Sequence, residues 1–285
     1  MTPSLMRTLR TAAAHVGGML SSLCGGVYRL RQRAGVSLPA LLLVAGGTTS
    51  CLDLNTYTVE EDVVLGAQAF QEVTATSPVL NSGPEFEQVQ RVTARLVDSV
   101  TELDPEISSR FEWEVIVIDD PNTVNAFCLP GGKMAVYTGI LPVCQSDAGL
   151  AVVMGHEIIH ATERHGTERL TRNGLTSTFI QAIFQDEDHQ AMAEVAANFG
   201  IGLPWGRGDE LEADREGLIV MANAGYDPAE APRFWERMQA LTGGGGDSAL
   251  DEFMSTHPSN ANRIQQLEDL QAEALPYYEA AKAKK

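Results

Sequence analysis

Apolar residues recur at spacings of three and four from Val59 to Val73 and from Glu85 to Leu103, and each stretch predicts an amphipathic helix. The rhythm then changes. Glu112-Trp-Glu-Val-Ile-Val-Ile-Asp119 alternates and then runs apolar, as a half-buried strand does, and Lys133 to Thr138 predicts a second strand. Helical periodicity returns over residues 147–166, 174–200, 209–224, 228–241 and 259–273. The glycine run Gly243 to Gly246 predicts a flexible break, and the Ala- and Lys-rich stretch 276–285 predicts a frayed tail. The sum is an α+β chain, mostly helical, with a small sheet and no internal repeat.

Charge divides the chain. Residues 1–50 hold five arginines and no acidic residue, which leaves 15 basic against 38 acidic residues from position 51 onward. So acidic a surface excludes nucleic acid as a partner and offers no polybasic membrane patch. Arg29, Arg31 and Arg33 precede a short apolar run, Val36 to Gly47, and small residues lead to Cys51. That order predicts an export signal over 1–50, too short in its apolar part for a membrane span, ahead of one domain over 51–275. Cys51 is placed as the lipid-carrying cysteine of a bacterial lipoprotein; the alternative is ordinary signal cleavage beside a chance cysteine. On this reading the chain is exported and held in the periplasm or cell envelope. Cys128 and Cys144 would then sit in an oxidising compartment, as a disulfide or as two separate buried thiols.

The candidate chemistry lies in His-Glu-Ile-Ile-His at 156–160. On a helix, His156 and His160 are offset by only about 40°, so both rings can reach one Zn²⁺. Glu157 lies about 100° further round, beside the metal rather than on it, where it can accept a proton from water. Asp147 is a candidate N-cap, and Leu150, Val153, Met154, Ile158 and Ala161 form an apolar stripe for packing. A catalytic site needs a third protein ligand. The segment Gly208 to Gly217 reads as a helix start with Asp209 as N-cap; Glu210 and Asp214 share a face while Glu212 points away. Glu210 is the candidate third ligand, and Asp214 the residue that holds a ligand histidine through its second ring nitrogen.

His-Glu-Ile-Ile-His followed by Glu-Leu-Glu-Ala-Asp resembles the gluzincin metallopeptidases of the CAAX prenyl protease and HtpX superfamily, in its soluble periplasmic or lipoprotein branch. Asn125-Ala-Phe-Cys-Leu-Pro-Gly-Gly-Lys, Gly202-Leu-Pro-Trp-Gly-Arg207 and Ser255-Thr-His-Pro, with Arg263 beyond, resemble further segments of that family. Cys128 and Gly206 depart from its usual residues. The resemblance covers about Val59 to Leu270 and implies a zincin-type domain with one Zn²⁺.

The expected reaction is peptide hydrolysis in misfolded or unassembled envelope proteins, with Glu157 as base and a strand near Met134 to Tyr137 as the edge that receives an extended substrate. The alternative is an envelope chaperone or assembly factor with a largely plugged zinc site. His257 stays open between three roles: oxyanion stabiliser, plug in the fourth zinc position, and cap of the helix that starts near Ser259.

Overall fold

Thr58 starts the first helix, α1 (Val59–Thr76), with a reciprocal cap: its hydroxyl accepts from the Glu61 amide and the Glu61 carboxylate accepts from the Thr58 amide. In this computed structural model the described residues are 55–173, 205–242, 253–257 and 262–284. They belong to a unit running from Leu52 to Lys285. The expected helix over 174–200, the glycine run, Cys51 and the export signal lie outside the described residues.

Four strands make one sheet in the order β1-β2-β4-β3. β1 (Val79–Leu80) runs antiparallel to β2 (Glu114–Ile118), β2 parallel to β4 (Lys133–Tyr137), and β4 antiparallel to β3 (Ala126–Leu129). The Pro130–Gly132 turn folds β3 back onto β4, with Gly131 at φ 74° and Gly132 at φ 90°, a backbone that favours glycine. This corrects the expected edge at Met134 to Tyr137. β4 is interior, paired on both sides, and β3 is the edge beside it.

The helices pack against this sheet and one another. α2 (Pro84–Leu103) has a proline in its first turn, and α3 (Asp147–Thr162) is buried almost all round. Ser146, one residue before the expected Asp147, caps α3 by accepting from the Gly149 amide at 3.1 Å. Asp147 instead pairs with Arg91 at 2.9 Å. The predicted helix to residue 166 breaks at Arg164, whose φ of 59° ends α3 before α4 (His165–Arg172) begins. α5 (Arg207–Asn223) starts two residues before the predicted 209; Gly206 is its N-cap, and the Asp209 carboxylate accepts from the Gly206 amide at 3.2 Å. α6 is Glu230–Thr242. α7 (Arg263–Ala283) continues ten residues past the predicted 273, with Pro276 inside it, so the stretch expected as a frayed tail is helical. No helix among the described residues is long and apolar enough to cross a membrane.

Candidate metal centre

α3 and α5 cross closely because glycine faces glycine. A Cβ on Gly155 would lie 3.0 Å from the Gly217 carbonyl oxygen. Glu210, Asp214 and Gly217 fall at i, i+4 and i+7 on α5, so the contact that lets the helices approach also aims both carboxylates at α3. His257, at the end of the short described segment 253–257, completes the cluster.

Four donor atoms converge. His156 Nε2 lies 3.0 Å from His160 Nε2 and 3.2 Å from His257 Nδ1. Glu210 Oε1 lies 3.0 Å from His257 Nδ1, 3.3 Å from His160 Nε2 and 3.6 Å from His156 Nε2. All four residues are buried. Donors at about 2.0–2.1 Å from a central ion stand about 3.3–3.4 Å apart at the corners of a tetrahedron, so the observed spacings fit a tetrahedral Zn²⁺. Three imidazole nitrogens and a carboxylate oxygen turned to one point form a donor set that could hold a metal ion.

The next layer fixes the donors. Asp214 Oδ1 lies 3.0 Å from His156 Nδ1, the ring nitrogen turned away from the cluster. Arg263 grips Asp214 with two bonds, at 2.8 and 2.7 Å, and reaches Glu210 Oε2 at 2.8 Å. Its guanidinium lies 3.6 Å from the centre of the Trp235 ring. Glu210 therefore presents one oxygen to the imidazoles and the other to Arg263. Burial works against both carboxylates ionising, yet both are held low. For Glu210 the His156 charge and bonds from His156, His160 and His257 prevail; for Asp214, Arg263 and His156 do. At His160 burial prevails and holds the ring well below its usual value, which favours its neutral form.

Glu157 stands apart from the donors. Its Oε1 lies 3.3 Å from His257 Nε2, and burial raises its pKa above the usual carboxylate value despite the nearby His257 and His156. His257 thus touches the metal corner with one nitrogen and the candidate base with the other. Phe253 packs on its ring at 4.8 Å between centroids.

Glu212 was expected to point away, solvated or paired with an arginine. It is half exposed, and its carboxylate lies 3.3 Å from His165 Nε2. Sequence reasoning gave no role to His165, Trp205 or Arg263. Trp205 and Arg263 stand in the motif segments quoted above; His165 follows the helix break and belongs to no periodic pattern. Cys128 and Cys144 are separate free thiols, both buried. Burial pushes Cys144 up to about 12 and Cys128 well above the usual thiol value, which makes them poor nucleophiles.

Residues 84–271 match the description of Peptidase family M48. The mitochondrial metalloendopeptidase OMA1 of Schizosaccharomyces pombe is 44% identical over 168 residues, covering 58% of this chain and 49% of the relative. The mitochondrial metalloendopeptidase OMA1 of Danio rerio is 32% identical over 243 residues, 80% of this chain and 50% of the relative. The beta-barrel assembly-enhancing protease of Escherichia coli O157:H7 is 25% identical over 239 residues, 80% of this chain and 46% of the relative. The chain spans about half the length of these relatives. They overturn the expected periplasmic or cell-envelope location, since the two more similar of them are mitochondrial proteins. The match over 84–271 spans most of the chain and takes in every residue of the cluster, and the chain belongs to peptidase family M48, a family of gluzincin metallopeptidases.

Proposed function

We propose that the chain is a zinc-dependent endopeptidase in which His156, His160 and Glu210 hold the metal and Glu157 is the general base. The observation that carries this reading is the near-tetrahedral spacing of the four donor atoms, with Glu157 beside them and off the metal. Zinc, when bound, supplies a Lewis acid that lowers the pKa of water toward neutrality. Glu157, its own pKa raised by burial, accepts a proton from the attacking water and delivers it to the leaving amine. Asp214 and Arg263 keep the donors in place and perform no proton transfer.

His257 is read as the plug. It supplies the fourth donor and engages Glu157, so one ring covers both the water position and the base. That geometry favours a resting form that opens by movement of the 253–257 segment. It also keeps alive the second reading, an assembly factor with a largely inhibited site. Substrates are unfolded or unassembled polypeptides. Support comes from the assembly-enhancing protease of E. coli among the relatives. Their names support a mitochondrial setting.

The test is metal analysis of the purified chain together with cleavage of casein by the native protein and by Glu157→Gln. Stoichiometric zinc and casein cleavage lost in Glu157→Gln are expected. Equal cleavage by both would overturn the assignment. Zinc without any cleavage, in the native chain and in His257→Ala alike, would favour the assembly-factor reading.

A further inference from the structure

Behind His160 the polar contacts continue outward in a single file. His160 Nδ1 lies 2.9 Å from His165 Nδ1, and His165 Nε2 lies 3.3 Å from Glu212 Oε2. Each of these imidazoles is buried, whereas the Glu212 side chain is 52% exposed. Only one proton arrangement satisfies the file. A His160 that ligates through Nε2 must carry its proton on Nδ1 and donate it. His165 Nδ1 must then accept, which leaves its proton on Nε2, pointing at the Glu212 carboxylate. The two ligand histidines are therefore supported differently. His156 meets a carboxylate directly, at Asp214. His160 meets one through an intervening imidazole.

The surroundings hold this second file in place. Trp205 stacks on the His160 ring at 4.3 Å and 17°. Arg169 lies 3.9 Å from the Trp205 ring centre on α4, the same helix that His165 opens. The left-handed Arg164 directs His165 back under α3, and its side chain is anchored to Asp62 and to the Tyr57 carbonyl.

We propose that His165 is a positioning residue for the metal. It fixes the tautomer and ring plane of His160 by accepting its Nδ1 proton, and it passes the pull of the Glu212 carboxylate to the ligand. The inference rests on His160 being a zinc ligand, as in the proposed function.

The experiment measures zinc affinity of the full chain by competition with a chromophoric chelator, and the ligand-field spectrum of the Co²⁺ form. His165→Leu removes the acceptor and should weaken zinc binding by about 10–100-fold and alter the Co²⁺ spectrum. In His165→Asn the amide oxygen falls near the former Nδ1, so affinity should return to within a few-fold of the native chain. Glu212→Ala, at a half-exposed position, should fold normally and lose affinity by about 3–10-fold. A merely structural role would lower the unfolding temperature of the chelated protein and leave affinity untouched. Equal affinities for His165→Leu and His165→Asn, or native affinity in Glu212→Ala, would overturn the proposal; the second comparison stands even if His165→Leu does not fold. Native zinc binding in His160→Ala would overturn the zinc-ligand reading instead.

Discussion

A methyl group on Gly217 would stand 2.9 Å from the backbone nitrogen of His156. That separation is below any comfortable contact and falls on the backbone of the helix that carries the metal donors. Gly217→Ala is therefore expected to push α5 from α3, to destabilise the fold by about 1–3 kcal/mol and to weaken metal binding. Gly208, in the same helix, has nothing within 4 Å of its would-be Cβ. Gly208→Ala should be neutral or stabilising by up to about 1 kcal/mol. Thermal unfolding with and without chelator checks both, and equal behaviour of the two variants would refute the crossing argument.

Metal content should fall sharply in His160→Ala and in Glu210→Ala. Glu210 has one oxygen among the imidazoles and the other on Arg263, so its loss removes a donor and strips Arg263 of a partner. Elemental analysis of the purified variants decides this. Native stoichiometry and affinity in Glu210→Ala would assign the third ligand elsewhere.

Glu157→Gln should keep its metal and fold while cleaving casein about 10²–10⁴-fold more slowly. The amide preserves shape but cannot take up a proton. Retained turnover in a metal-loaded variant would remove Glu157 from the chemistry.

His257→Ala separates three roles. As a plug, its loss should raise basal cleavage, because a corner of the metal and the Glu157 carboxylate are freed together. As an oxyanion stabiliser, its loss should lower kcat at constant zinc content. As a helix cap alone, it should leave turnover unchanged and cost about 1 kcal/mol of stability. We expect the rise; a fall at full zinc occupancy would contradict the plug.

Arg263→Leu should destabilise the protein by about 3–5 kcal/mol, since it leaves Glu210 and Asp214 buried without their common cation. Chemical denaturation of the metal-loaded protein tests this. A cost below about 1 kcal/mol would show that water replaces the guanidinium.

Much of this was legible in the sequence because it is helical and local. His156 with His160, and Glu210 with Asp214, sit one turn apart on strongly patterned helices, so periodicity alone puts each pair on one face. What was not legible depends on chain reversals. β3 carries four residues, all buried, and no alternation that marks it as a strand; only the resemblance of the segment from Asn125 to a family strand pointed to it, and its pairing onto β4 came with the Pro130–Gly132 turn. The end of α3 was placed late because Arg164 adopts a left-handed backbone that favours glycine and that its side-chain anchors hold. His165 owes its place to that same reversal. The Ala- and Lys-rich stretch from 276 suggested a frayed tail, but alanine and lysine are good helix formers, and Pro276 costs the helix one hydrogen bond rather than its continuation.

The donors and their support are strung across the chain from His156 to Arg263, and this spacing sets a timetable for synthesis. A ribosome that has released the chain only as far as α5 has made two histidines and a pair of carboxylates, but neither His257 nor Arg263 to satisfy them. Docking Glu210 and Asp214 against α3 at that stage would bury charge without its counter-charge, so the crossing of α3 and α5 waits for α7. Domains form as units once their last segment is free. The centre can therefore close only after His257 and Arg263 have both left the ribosome, and a chain halted before them lacks a donor and the cation that pairs with both carboxylates.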